Sequence, residues 1–511
     1  MVRRTFVFGA AVLLAANLFN RILGFVYQYL IMAHVGAEAY GLFAQVFPIY
    51  IMALVITTAG IPPAVAKMVS EEVSLGNYRQ ARAIFRLTLG ILCISGALVS
   101  VLLYLFAVRM VGRIIADPRV IPVLIMCTPA VLVVSISSAF RGYFQGLQNM
   151  VPTAVSQTLE QIVRVCFGFM AALYFLPRGI AFAAMGLAFG MLAGEAVGLI
   201  AIGLQYRRHR LPRHVDRDAK LTPRRHILAR IWNLAAPITA GRLLSTGLSA
   251  LDAIIVPGRL QAAGFTARHA TALFGQLGGA GFTLLSFPSV FTIALATSLV
   301  PAIAEAAATR SFHTMRSSIA EAIRITIMFG IPCLVTMFYF AESLTAFFNS
   351  VNIAPVLRIL AIAGIFSYLQ QTTTGILQGL GKAHLPVAHS LVAAGFRLPL
   401  LYWLTGHPAW GLMGTAWAFN IGFFIGAVLN IVAIKRHTGM QIDWRRFVAK
   451  PCAAAMGMLF TFMMLAPSRG GHLINYIDEM AVGAAVYLII LLLNRGITMG
   501  DIRRVIGHQN A

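Results

Sequence analysis

The chain has 511 residues, of which 59% are hydrophobic and only 11% charged, and its mean hydropathy of +0.81 excludes a soluble globular protein. A formal net charge of +24 raises the question of nucleic acid, but no base-stacking aromatics are interleaved with the basic residues, which speaks against that class. The five cysteines are scattered singly, with neither a disulfide framework nor zinc-ligand spacing.

Apolar runs of about 20 residues, each enough to cross roughly 30 Å of hydrocarbon, predict an all-α polytopic membrane protein with fourteen spans. The first, 5–34, follows Arg3 and Arg4 as a signal peptide would. It lacks a small-residue cleavage site and runs on through Arg21, so it reads as an uncleaved helix. The second covers 40–66, the fifth 153–176, the seventh 231–256, the eighth 271–304, and the last two 449–467 and 475–494. Lys and Arg gather at the amino terminus and in every second connection: 67–86, Arg141, 207–230, Arg310 and Arg316, Lys382, 435–450 and 495–504. The intervening connections hold few, among them Arg119, Arg178 and Arg268. This asymmetry predicts both termini on the cytoplasmic side, with the basic 206–230 stretch serving topology and anionic lipid.

An internal repeat organises the chain. LFAQ at Leu42 returns as LFGQ at Leu273, and GIPPAVAK at Gly60 as SLVPAIAE at Ser298. Gly142, Gln145, Gly146 and Leu147 are answered by Gly375, Gln378, Gly379 and Leu380. Six spans separate each copy from its partner, so both halves cross the membrane in the same sense. The expected layout is an N-lobe at 1–205, a basic cytoplasmic linker at 206–230, a C-lobe at 231–434, and two appended spans with a tail at 435–511.

Few charges remain inside the spans, and each is costly there, by roughly 2.5–3.5 kcal/mol on insertion scales. They are Arg21, Arg164, Arg242, Arg324 and Arg397 against Glu160, Glu195 and Asp252. Gln157, Glu160, Gln161 and Arg164 fall on one face of the fifth helix, with Glu160 four residues before Arg164 in the favourable order for an ion pair. Asn17, Arg21 and Gln28 stripe the first helix, Arg242, Ser249 and Asp252 the seventh, and Gln371, Thr374 and Gln378 the tenth. With Arg397 on the eleventh helix, these residues are expected to line a wet, electropositive central cavity suited to phosphate, which guanidinium groups grip through paired donors. Arg324, near the cytoplasmic end of its span, is expected to extend to the interface, and Glu195 and His389 to act in packing. No phosphate-cradling GxxxxGK[ST] element, metal set or cofactor motif is present, and any coupling ion is left open.

FRGYFQGLQNMVPTAVSQTLEQIVRV, from Phe140, and FPSVFTIALATSLVPAIAEA, from Phe287, resemble the stage V sporulation protein B group of polysaccharide-biosynthesis membrane proteins. These belong to the multidrug/oligosaccharidyl-lipid/polysaccharide (MOP) exporter superfamily. NRILGFVYQYLIMAHVGAEAYGLF, from Asn20, is similar to the first-helix region of lipid II flippases of the MurJ type, with Arg21 matching their arginine. Tyr27 and Gln28 stand where those proteins carry an arginine and an aspartate, and an arginine they use near Thr283 is absent. The resemblance implies a non-enzymatic flippase in the bacterial cell membrane for undecaprenyl-pyrophosphate-linked saccharide, of lipid II type, working with cell-wall synthesis proteins in spore cortex formation. A drug or cation antiporter of the same superfamily, which would favour an acid such as Asp252 in the cleft, is the nearest alternative. A non-transporting scaffold is another; a membrane transferase would need clustered carboxylates that the chain lacks.

Overall fold

The computed structural model describes residues 2–58, 60–110, 115, 117–208, 222–440, 443, 445–465, 476–494 and 496. Most of the basic linker, the 466–475 connection with Arg469, and the 497–504 basic tail lie outside these residues. Almost all described residues are helical, as a chain that must satisfy its backbone without water requires. Contacts divide the chain into two compact units.

The first unit spans Met1–Gly258 and Phe265–Gly275. It holds α1 (Val2–Leu30), α2 (Ala37–Thr58), α3 (Ile61–Ser74), α4 (Tyr78–Met110), α5 (Ile121–Gly146), α6 (Val151–Phe175), α7 (Ile180–Arg208), nearly all of α8 (Arg224–Ala262) and α9 (Ala267–Gln276). The second unit contains Arg259–Gly264 and everything from Gln276. Its helices are α10 (Thr283–Ser286), α11 (Ser289–Ala308), α12 (Phe312–Tyr339), α13 (Ala341–Phe347), α14 (Ala354–Gly379), α15 (His384–Thr405), α16 (Gly411–Thr438), α17 (Lys450–Leu465) and α18 (Ile477–Leu493). The seventh expected span thus groups mostly with the first unit, and contact divides the chain at a different place from the repeat. A π-helical segment, Leu277–Phe282, lies in the second unit, just after Gln276.

Twelve helical runs among the described residues are long and apolar enough to cross a membrane. They match the second to thirteenth expected spans. The first and fourteenth are the helices α1 and α18, the latter only 17 residues long, and neither is among the twelve. On α4, Ile94, Leu98, Val101 and Leu105 recur at helical spacing and are exposed, the pattern of a lipid-facing stripe. Lipid supplies no hydrophobic drive between helices, so packing rests on close approach and on buried polar contacts.

Two details show how the repeat is built. The second expected span breaks between α2 and α3 at Gly60, whose φ of +20° and contact with the Ala235 backbone suit only glycine. The eighth breaks at Phe287–Pro288, where Tyr368 Oη donates 2.9 Å to the Leu285 carbonyl freed by the break. Below each break the same glycine pair clamps the same helix. A Cβ on Gly142 would lie 2.9 Å from the Pro62 carbonyl oxygen of α3, and one on Gly375 would lie 2.7 Å from the Ala296 carbonyl oxygen of α11. One turn on, Gly146 meets Ala66 and Val69, and Gly379 meets Val300 and Ile303. The repeated motif is therefore a backbone-contact seam, used once in each unit.

Candidate functional sites

A glycine ladder creates the charged heart of the first unit. Gly186, Gly190, Gly194 and Gly198 recur every four residues on α7 and let α6 approach to backbone contact; a Cβ on Gly194 would sit 2.6 Å from the Glu160 carbonyl oxygen. That closeness brings Glu195 of α7 beside the α6 pair. Arg164 Nη2 donates to Glu160 Oε1 at 2.6 Å and to Glu195 Oε1 at 3.0 Å. Arg141, from the last turns of α5, donates to Glu160 Oε2 at 2.7 Å and lies 3.9 Å from Glu195 Oε2. Both glutamates are buried and both arginines largely so. Two cations and two anions thus close a neutral cluster.

The expected Glu160–Arg164 pair is present, with two further members. Arg141, a connection residue by hydropathy, lies inside α5, and the expected packing role of Glu195 includes an ion pair. Arg164 is consequently shared between two carboxylates. On the same helix Gln161 reaches α1, its Nε2 lying 3.7 Å from where a Cβ on Gly24 would stand, and Gln157 is half-buried.

The other expected residues lie on other helices. Asn17 and Arg21 are exposed on α1 and Gln28 is half-buried there. On α8, Arg242 and Ser249 are exposed, the Ser249 hydroxyl donating 3.2 Å to the Ser245 carbonyl, and Asp252 is half-buried. Arg324, on α12, differs from expectation: it is buried and paired to Glu321 at 3.3 Å, because an acid one turn away neutralises it where it stands.

In the second unit α14 carries two opposed faces. Ile365, Phe366 and Leu369 line an apolar cavity of about 570 Å³ shared with α12, α16 and α17. Ser367, Gln370, Gln371, Thr374 and Gln378 line a separate cleft of about 350 Å³ against α11 and Phe423. Behind the cleft Asn430 is a buried hub. His389 Nδ1 donates to its Oδ1 at 2.8 Å, and its Nδ2 donates to the Thr373 and Thr374 hydroxyls at 3.1 and 3.3 Å. The expected packing role of His389 takes this form. Arg397 of α15 stacks over the Phe419 ring, 4.7 Å from its centroid, and Phe419 lies 6.2 Å from Phe423.

A third cluster, which no sequence motif marks, ties α9 to the rest of the first unit. Arg119 forms a 2.7 Å ion pair with Asp117 and also pairs with Glu38, which Arg268 approaches at 3.7 Å. Thr271 donates 2.9 Å to Asp117 Oδ2 and accepts from Gln45 Nε2 at 3.2 Å. Burial acts to raise the Asp117 carboxyl, but hydrogen bonds from the Arg119 side chain and backbone and from Thr271, with the Arg119 charge, outweigh it and hold the group below the usual carboxylate range. Among the described residues no group of His, Cys, Asp and Glu could hold a metal ion.

Comparison with known proteins fits this architecture. Stage V sporulation protein B of Bacillus subtilis (strain 168) is 29% identical over 99% of this chain and 98% of its own length. The lipid II flippase MurJ of the same organism is 26% identical, covering 98% and 96%. Among solved structures, the lipid II flippase MurJ in an inward closed conformation superposes with a TM-score of 0.73 at 14% identity, over 94% of this chain and 98% of that one. An inward-facing multidrug resistance MATE family transporter of the MOP superfamily gives 0.68 at 14%, over 84% and 98%. The fold is that of MOP superfamily transporters, and the MurJ relative is named a lipid II flippase. A model described as MatE matches 277–403, and one described as polysaccharide biosynthesis protein matches 6–307, more than half the length. This multi-pass membrane chain belongs to the polysaccharide biosynthesis protein family.

Proposed function

We propose that the protein is a flippase that carries an undecaprenyl-pyrophosphate-linked saccharide of lipid II type from the cytoplasmic to the outer leaflet of the bacterial cell membrane, with both termini cytoplasmic. The observation that carries this reading is the division of labour on α14. One face borders an all-apolar cavity and the other a cleft of amides and hydroxyls, so a single rigid helix separates surroundings for an acyl or prenyl chain from surroundings for a sugar. A substrate with both parts uses both faces; a compact organic cation uses neither.

Charge supports it. Arg141 and Arg164 are balanced by Glu160 and Glu195, and Arg324 by Glu321. In the set expected to line the cavity Arg21, Arg242 and Arg397 stand beside the single acid Asp252, a preponderance of guanidinium that suits a pyrophosphate. In this scheme two six-helix lobes rock to expose the site alternately. Arg21, Arg242 and Arg397 engage phosphate oxygens, and Asn17, Gln28, Ser249 and Gln378 offer neutral hydrogen bonds. Gln157 and Gln161 border the path, and Glu160 with Arg164 hold α6 in register. Cell-wall synthesis enzymes consume the product outside.

The MatE match favours one second reading, export of organic cations with Asp252 as the acid. Purified protein in liposomes decides between them. A fluorescent undecaprenyl-pyrophosphate disaccharide should move between leaflets, and Arg21→Ala should slow it at least tenfold without lowering the amount of folded protein. Transport of ethidium with no movement of the glycolipid would replace the proposal with the antiporter.

A further inference from the structure

The two glutamates of the charged cluster share their donors. Glu160 Oε1 and Glu195 Oε1 both accept from the one nitrogen Arg164 Nη2, at 2.6 and 3.0 Å, so the carboxylates are close neighbours. Glu160 is satisfied at both oxygens, since Arg141 Nη2 donates to its Oε2 at 2.7 Å. Glu195 is satisfied at one alone. Its Oε2 stands 3.9 Å from Arg141 Nη2 and accepts no hydrogen bond among the described residues, although the residue is only 6% exposed. A buried carboxylate oxygen with nothing bonded to it is costly, and two carboxylates side by side disfavour the state in which both are ionised.

The surroundings restrict what can answer that oxygen. A metal ion needs several ligands, and among the described residues no group of His, Cys, Asp and Glu could hold one. A bulkier cation has no room, because Gly194 brings the α7 backbone against α6, where a Cβ would stand 2.6 Å from the Glu160 carbonyl oxygen. The charged and titratable groups facing the pair are Arg141 from α5, Arg164 from α6 and Tyr50 from α2; Cys127 of α5 is within electrostatic range of Tyr50, and Tyr27 of α1 within that of Arg164. Tyr50 is 2% exposed and its hydroxyl has no hydrogen-bond partner among the described residues. A hydroxyl both donates and accepts, so it suits either protonation state of a neighbouring acid.

We infer that the Glu160 and Glu195 carboxyls form a proton-binding site that couples transport to a proton gradient, with the proton carried on Glu195 Oε2. The O–H bond forms with a proton from the aqueous phase on one side of the membrane and breaks to release it on the other. The site rests on the flippase reading and deepens it by naming the coupling ion. Unprotonated, the cluster is neutral and Arg141 is drawn to both α6 and α7. Protonated, it carries a net positive charge, and Arg141 keeps only its bond to Glu160 of α6. The proton therefore weakens the tie between α5 and α7 while glycine contacts still join α6 to α7, which gives one bound ion a defined mechanical effect.

Infrared difference spectroscopy on the purified full-length protein in nanodiscs tests the site without any substrate. Between about pH 9 and about pH 6, above the range in which exposed carboxyls titrate, the C=O band of a protonated carboxyl should appear. Glu195→Gln should remove it. Arg141→Gln should raise the pH at which it appears by about one unit, because a cation that favours the carboxylate is gone; thermal unfolding of each variant verifies folding. Absence of the band in the parent chain overturns the site whether or not the variants fold, and so does a band unchanged in folded Glu195→Gln. In proteoliposomes an acid-outside gradient should speed flipping of the fluorescent glycolipid at least fivefold in the parent and leave Glu195→Gln unaffected; flipping indifferent to the gradient overturns the coupling. The transport reading fails separately: a titrating band with no glycolipid flipped removes the flippase and keeps the proton site, and flipping without the band does the reverse.

Discussion

The two units place different chemistry on the same frame. Arg141 directly precedes Gly142 in the first unit, and Thr374 directly precedes Gly375 in the second, at the matching position of the repeated seam. Arg141 enters a closed cluster of two arginines and two glutamates. Thr374 enters a neutral network through Asn430 and His389. The comparison shows that a duplicated backbone contact fixes where side chains meet and leaves their chemistry free to diverge. Its energetic consequence is asymmetric. A buried charge stripped of its partner costs about 3–5 kcal/mol, whereas a lost neutral hydrogen bond costs about 1–3 kcal/mol.

The sharpest way to break the comparison is to remove one carboxylate. Glu160→Gln leaves Arg141 and Arg164 sharing Glu195, and unfolding in detergent should lose about 3–5 kcal/mol of stability, with part restored when Arg164→Gln is added. A loss no larger than that of a surface substitution would mean the cluster is hydrated and weak. Next come the seams. Gly142→Leu and Gly375→Leu should each destabilise by about 1–3 kcal/mol through overpacking, and to a similar degree, as followed by thermal aggregation of a fluorescent fusion. Unequal losses would show that the two seams bear different loads. Asn430→Ala should cost about 1–3 kcal/mol; a cost equal to that of Glu160→Gln would erase the contrast between the units.

The smallest effect concerns the third cluster and is set by pH. Asp117 is held below its ordinary range, so its contribution is present above about pH 4, the value of the unfolded carboxyl, and is lost as pH falls through the lower folded value. Asp117→Asn should therefore melt below the parent protein at pH 7, by on the order of 1 kcal/mol, with the gap narrowing as the pH is lowered toward 3. A gap that stays constant across that range would mean the carboxylate charge plays no part.

Hydropathy sufficed for twelve of the fourteen expected spans because each is a long apolar run, and periodicity sufficed for the α6 stripe because its four polar residues share one helix. What was hidden lay between helices. Glu195 is a lone acid on an otherwise apolar α7, and only the four-residue glycine spacing from Gly186 to Gly198 hints that this face meets another backbone. Arg141 falls where hydropathy ends a span, although the helix continues through Gly146. The Asp117–Thr271 contact joins residues 154 positions apart, a distance over which no local pattern reports. Arg324 illustrates the opposite error, since Glu321 was visible three residues away and its pairing outweighs the reach of a long side chain toward the interface.

The interruptions at Gly60 and at Phe287–Pro288 have a mechanical meaning. An unbroken helix transmits torque along its hydrogen-bond ladder, whereas a joint of one or two residues does not. In each half of the repeat, the segment beyond the joint, α3 or α11, is riveted to its neighbour by two glycines. The segment before it, α2 or the short α10, is thereby uncoupled from that rivet. Tilting at one end of such a jointed rod need not disturb the anchorage at the other.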